Sequence, residues 1–217
     1  MRRFRITPLR LATAILIGSC ASAGVAYAAS LTISSNKLYA SNQTVATGTC
    51  NQNFTSEDDT YVQQASPGST AGGSAGTLTI GGAAGSRSVV FIRWDISGCG
   101  FPTTAGANLS NLKVYVESVS SDTISVFPVY SSWSSSTLNW NGVQNLSIGS
   151  SPTVTFVPSD SGQTTVEVTA DTDAAIKAGV LWGWELVDTS GTATTVIDAS
   201  ESTHPGRRPS LTISYAE

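Results

Sequence analysis

The sequence predicts an all-β domain of about ten short strands, arranged as a sandwich or a barrel. Three observations carry that expectation. From residue 57 onward, runs rich in Val, Ile, Thr and aromatic residues recur, separated by Gly, Ser, Pro, Asn and Asp clusters. Within the runs, apolar and polar residues alternate with a period of two, the repeat of a half-buried strand. Charged residues are only 12% of the chain and hydrophobic ones 40%, too apolar a balance for disorder.

The chain opens with Arg2, Arg3, Arg5 and Arg10, an apolar run, and the small-x-small site Ala26-Tyr27-Ala28. Residues 1–28 therefore read as a secretory signal peptide. The run is too short for a comfortable membrane span. A rival reading takes Ile17-Gly18-Ser19-Cys20 as a lipobox, with Cys20 lipidated as an anchor. Cleavage after Ala28 leaves 217 − 28 = 189 residues, which suits one domain. Residues 29–56 are polar and read as an extended lead-in, and residues 57–217 as the β-domain.

Ten runs supply the strands: DDTYVQ, TLTIGG, RSVVFIRWDIS, NLKVYVES, DTISVFPVY, PTVTFVP, TTVEVT, VLWGWELV, TTVIDAS and PSLTISY. Alternation assigns their faces. Leu112, Val114 and Val116 oppose Lys113, Tyr115 and Glu117. Val90, Ile92, Trp94 and Ile96 oppose Val89, Phe91, Arg93 and Asp95. Val180, Trp182, Trp184 and Leu186 oppose Leu181, Gly183, Glu185 and Val187. Trp94, Trp182 and Trp184 are expected in the core. Residues 171–179, DTDAAIKAG, are the one helical candidate, with Asp171 or Thr172 as cap and Gly179 as terminator.

Charge and cysteines narrow the function. With the signal peptide gone, seven Lys/Arg face fifteen Asp/Glu, 7 − 15 = −8. That excludes the basic face a nucleic-acid binder needs and makes anionic membrane an unsuitable partner. Cys50 and Cys99 remain as an even pair in an exported chain, which reads as a disulfide. Closing a loop of about 50 residues contributes about 3–4 kcal/mol by loop entropy. A metal pair would lack further cysteines and has only one histidine, His204, to complete it.

Candidate chemistry is sparse. Residues 72–76 match G-x-S-x-G around Ser74, and Asp198 and His204 could complete a triad on paper. That elbow needs a strand before the serine and a helix after it, whereas here a loop precedes and a strand follows. Glu167, Glu185 and Glu201 are conceivable glycosidase carboxylates, but no motif brings two together. Glu201 is expected instead to pair with Arg93 as a structural ion pair. Asp58 and Asp59, in the run Glu57-Asp58-Asp59, could hold a structural calcium, which takes oxygen ligands. The other reading is a solvated acidic turn. For binding, Tyr115 beside Lys113 is the best exposed aromatic by alternation, or else a half-buried residue of a central strand. Tyr61, Tyr130 and the polar loops 66–76 and 118–122 are weaker candidates.

The ordered segments DTYVQQASPGSTAGG, RSVVFIRWDISG, ANLSNLKVYVES, ISVFPVYSSWSSSTLNWNG, LWGWELV and ASESTHPGRRPSLTISYA resemble the DNRLRE-domain proteins. That group of secreted bacterial and archaeal proteins includes carbohydrate-binding modules and disaggregatase-related domains. The resemblance spans roughly residues 57–216. It implies a jelly-roll-like antiparallel β-sandwich, often one module of a polysaccharide-active protein. Three positions depart from the family pattern. Ser135 stands where it has Glu, Gly142 where it has a second Asn, and Ser200-Glu201 lacks the intervening Arg. Trp133 and Trp140 occupy signature positions, where the resemblance implies structural indoles. The alternative is that they stack on glycan. The function it implies is a secreted, non-catalytic module contacting cell-wall or environmental polysaccharide. The alternative is a structural or adhesive protein acting by protein contact, and a hydrolase or lyase comes third. No cofactor is expected beyond the possible calcium, and no membrane association unless Cys20 is lipidated.

Overall fold

The computed structural model describes residues 29–34, 37–42, 47–52 and 57–216. The signal-peptide segment and Cys20 lie outside the described residues. Two compact units divide between Ala46 and Thr47. The first holds one antiparallel hairpin, β1 (Ala29–Ser34) and β2 (Lys37–Asn42).

The second unit is an all-β antiparallel sandwich of eleven strands. In chain order it contains β3 (Thr47–Gln52), β4 (Glu57–Gln63), β5 (Thr77–Gly81), β6 (Ser88–Trp94), β7 (Gly106–Ser118) and β8 (Ile124–Pro128). The short helix α1 (Trp140–Val143), β9 (Val154–Phe156), β10 (Gly162–Glu167) and α2 (Thr169–Ala178) follow. The chain finishes with β11 (Trp184–Asp188), β12 (Thr194–Asp198) and β13 (Ser210–Ala216). One layer is built around β7, which pairs with β10, β12 and β13; β3 extends it beside β13, and β5 beside β12. The other runs β4-β6-β11-β8-β9. The layers join where Gly81 of β5 meets Ser88 of β6. From β4 to β8 each successive strand changes layer, the jelly-roll-like winding expected for this class.

All ten expected strands form, because their alternation gives each layer one apolar face. The inward residues meet as one core: Leu78 and Ile80, Val90, Ile92 and Trp94, Leu112, Val114 and Val116, Trp184 and Leu186, Ile197, Leu211 and Ile213. Each such aliphatic side chain contributes roughly 1.5–3 kcal/mol by burial. Trp94 and Trp184 are wholly buried, with ring centroids 6.3 Å apart.

Four local expectations need correction. The lead-in is not merely extended: β3 is a ladder strand of the sandwich, with Cys50 opposite Ile213. The helix is longer than a single turn and starts at Thr169. Asp171 and Thr172 serve tertiary contacts rather than capping it. Asp171 Oδ2 accepts from Trp184 Nε1 at 2.6 Å, and buried Thr172 donates to Ser110. Gly179 does end the helix, in the left-handed region at φ 72°. Finally, Trp182 does not share a face with Trp184. Gly183 intervenes at φ 79°, and its missing Cβ would meet the Ile92 carbonyl at 2.0 Å. That kink breaks the period of two and sends Trp182 to the outer face of the second layer.

Cys50 and Cys99 are joined, with Cα atoms 5.6 Å apart. The bond links β3 to the 3-10 turn Ser97–Cys99 that follows β6. Among the described residues no helix is long and apolar enough to cross a membrane.

Candidate functional site

The outer face of the second layer carries Val62, Val89 and Phe91, and the segment 129–148 lies over it with Val129, Trp133 and Leu138. Trp133 is 7% exposed, meets Phe91 edge-on at 5.7 Å, and donates from Nε1 to the Trp182 carbonyl at 2.8 Å. It is the structural indole, though it packs beneath a surface segment rather than between the sheets. Arg93 sits over the Trp133 ring at 5.4 Å and donates twice to Asp58 Oδ2, at 2.8 and 3.1 Å. Asp58 Oδ1 accepts from Ser135 N at 3.1 Å. One ion pair thus fastens the covering segment to the sheet.

This geometry corrects two expectations. Arg93 pairs with Asp58, its direct cross-strand partner, and not with Glu201. Asp58 and Asp59 are neighbours on a strand, so they leave opposite faces and do not converge on one calcium. Both Asp58 oxygens are engaged as above. Asp59 is buried on the inner side, and its Oδ2 accepts from Ser200 N at 2.8 Å. Burial, with the Glu201 charge nearby, pushes the Asp59 carboxyl up to about 7 despite that hydrogen bond.

Trp140 has a different role from Trp133. Asn139 caps α1, its Oδ1 accepting from Gly142 N at 3.0 Å, and Asn141 N donates to the Pro67 carbonyl at 3.1 Å. The helix turns Trp140 and Val143 together onto the outer apolar cluster. Trp140 remains half-buried and lines a cleft of about 500 Å³. Its floor is the outward face of three strands: Val89, Phe127, Glu185 and Val187. Its rim carries Arg87, Asn141, Gln144 and Thr189, all exposed. Glu185 stands between Phe91 on β6 and Phe127 on β8 in the strand register. Burial there pushes its carboxyl up to about 7.

Of the four residues expected to bind ligand, Trp140 is the one that lines this cleft. Tyr115 and Lys113 lie on the outer face of β7 in the other layer. The Arg207 guanidinium covers the Tyr115 ring at 4.4 Å, so that ring face is already occupied. Arg87, Asn141 and Gln144 also line the cleft; as exposed polar residues they carry no pattern of their own in the sequence. A signal for Glu185 did exist, in a lone carboxylate two residues before Val187 on one face of the strand. Trp182 borders two further clefts. One, of about 230 Å³, includes exposed Tyr130 and Val180. The other, of about 490 Å³, includes Asp58, Arg93 and Asp95.

Ser74 lies in the 3-10 turn Ala71–Ser74, exposed, its hydroxyl donating to the Ala71 carbonyl at 3.4 Å. The strand-to-helix elbow is therefore missing at this serine. Asp198 and His204 do come close, together with Glu117. Glu185 and Glu201 line different clefts, and Glu167 accepts from Thr169 Oγ1 at 2.9 Å.

A family model described as carbohydrate-binding module family 96 matches residues 51–215. No curated protein matches the chain.

Proposed function

The chain belongs to carbohydrate-binding module family 96, and from that premise we propose that it is a secreted, non-catalytic module holding polysaccharide in the Trp140 cleft. The observation that carries this reading is the cleft's composition. One half-buried indole stands among Arg87, Asn141, Gln144 and Glu185. An indole face offers apolar area to the C–H face of a sugar ring. Amide, guanidinium and carboxyl groups around it can donate to and accept from ring hydroxyls. Such a pairing of apolar floor and few convergent polar groups is the general form of a small-ligand site.

Two features refine the ligand. Acidic residues outnumber basic ones in the chain, 15 to 11, and the cleft itself offers one cation and one carboxylate. A neutral cell-wall or environmental polysaccharide suits it better than a polyuronate. The single carboxylate among the described lining residues also argues for binding over turnover, since glycoside hydrolysis ordinarily uses two.

The test is retention on a panel of insoluble polysaccharides and purified cell wall, competed by soluble fragments. Retention on one polymer is expected. It should drop for Arg87→Ala, Asn141→Ala and Gln144→Ala, whose exposed side chains leave the fold intact, and most for Trp140→Ala. Failure to adhere to any polymer would sink this reading and favour a protein-contact role. Release of soluble sugar from a polymer would mean the module is a hydrolase or lyase.

A further inference from the structure

A second cluster of chemically active side chains lies on the other layer, away from the Trp140 cleft. Among the described residues, Glu117, Asp198 and His204 each bring a possible ligand atom within 4.8 Å of the others. Three local features gather them. Val196 stands opposite Ser118 and Ile197 opposite Val116, so Glu117 is the extra residue of a β-bulge. A bulge re-aims its side chain. Asp198 is the last residue of β12. His204 closes the loop that leaves that strand, where Ser202 Oγ donates to Asp198 Oδ1 and accepts from His204 N at 3.2 Å. One serine thus orients both the carboxylate and the loop that carries the imidazole.

The cluster is also electrostatically incomplete. Asp198 is 1% exposed, and its Oδ2 is buried with no hydrogen-bond partner among the described residues. A buried carboxylate oxygen left unpaired is costly, and such groups call for a counter-charge. Glu201 lines the same cleft of about 220 Å³ and adds to the negative potential. Two cations lie nearby. Arg207 stacks on Tyr115 and reaches Glu117 only at 3.9 Å. Arg208 Nε donates to the Ser202 carbonyl at 2.8 Å.

We propose that Glu117, Asp198 and His204 form a binding site for a divalent transition-metal ion, zinc being the best match. One imidazole nitrogen and two carboxylates suit zinc's four-coordinate preference, with one position left for water or Glu201. Calcium takes oxygen ligands in larger number and has no use for the imidazole. The bound ion would neutralise Asp198 and tie the 199–204 loop to β7 and β12.

The experiment is calorimetric titration of zinc chloride into the purified, untagged chain after chelator treatment, with calcium chloride in parallel. His204 is the only histidine, so its imidazole resonances report directly. The expected result is one zinc per chain, a shift of those resonances, and binding weakened about tenfold or more by either His204→Ala or Glu117→Gln. Both side chains are exposed, so neither change threatens folding. The proposal is overturned by the absence of zinc binding at millimolar concentration. It is equally overturned by zinc affinity unchanged in both variants, or by calcium binding more tightly than zinc with His204→Ala without effect.

Discussion

Replacing Glu185 with glutamine should stabilise the protein above neutral pH and leave it unchanged near pH 4. Glu185 lies on the outward face of β11 between Phe91 and Phe127. Burial there raises its carboxyl from 4.5 to about 7. The folded state therefore keeps the proton longer than the unfolded chain does. The side chain's contribution is most favourable below about 4.5 and is lost as pH rises through 7. A shift of roughly 2.5 pH units, at about 1.36 kcal/mol each, gives a penalty of order 3 kcal/mol at pH 8. Glutamine keeps the shape and never ionises, so it escapes the penalty. Asp59 titrates in the same direction, but it is present in both proteins and cancels in the difference. Urea unfolding of both proteins at pH 4 and pH 8 reads the effect. With a slope of about 2 kcal/mol per molar, the variant's midpoint should exceed the wild type's by about 1.5 M at pH 8. The two should coincide at pH 4. Equal midpoints at both values would refute the claim that Glu185 titrates in an apolar setting.

Other perturbations have equally definite outcomes. Reducing the Cys50–Cys99 bond, which closes a loop over a sequence separation of 49, should lower unfolding stability by about 4 kcal/mol in chemical denaturation. Gly183→Ala drives a Cβ into the Ile92 carbonyl at a positive φ. It should cost more than about 3 kcal/mol and change the fluorescence of Trp182, whose placement depends on that kink. Arg93→Ala removes two hydrogen bonds from half-buried Asp58 and the guanidinium above Trp133. A loss of about 1–3 kcal/mol is expected in thermal or urea melts, with Arg93→Lys intermediate because it cannot reproduce the fork.

The layered fold was legible because half-buried strands advertise themselves in alternation. The period of two placed Val90, Ile92 and Trp94 on one face and Phe91 on the other without knowledge of any neighbour. Pairings between strands were not legible in the same way. Arg93 was expected to meet Glu201 because both lie near strand centres of a mostly apolar module, yet strand order decides partners, and β4 brings Asp58 directly opposite Arg93. Alternation also failed where one glycine leaves the β-region, as Gly183 does between Trp182 and Trp184. The site was half visible. Trp140 stood out as an indole among small polar residues, but its twin Trp133 carried the same signal and is buried. Only the cap at Asn139 and the turn of α1 distinguish them. The expected binding face around Tyr115 rested on exposure by alternation, and Arg207, distant in sequence, covers that ring.

The most direct test of the account is an NMR titration of the labelled protein with soluble fragments of the polysaccharide that retains it. The indole signal of Trp140 and the side-chain amides of Asn141 and Gln144 should move together with one dissociation constant. The indoles of Trp94 and Trp184, buried between the layers, should stay still. Shifts centred instead on Trp182, Tyr130 and Arg93, or no shift with any fragment, would contradict the assignment of the Trp140 cleft as the carbohydrate site.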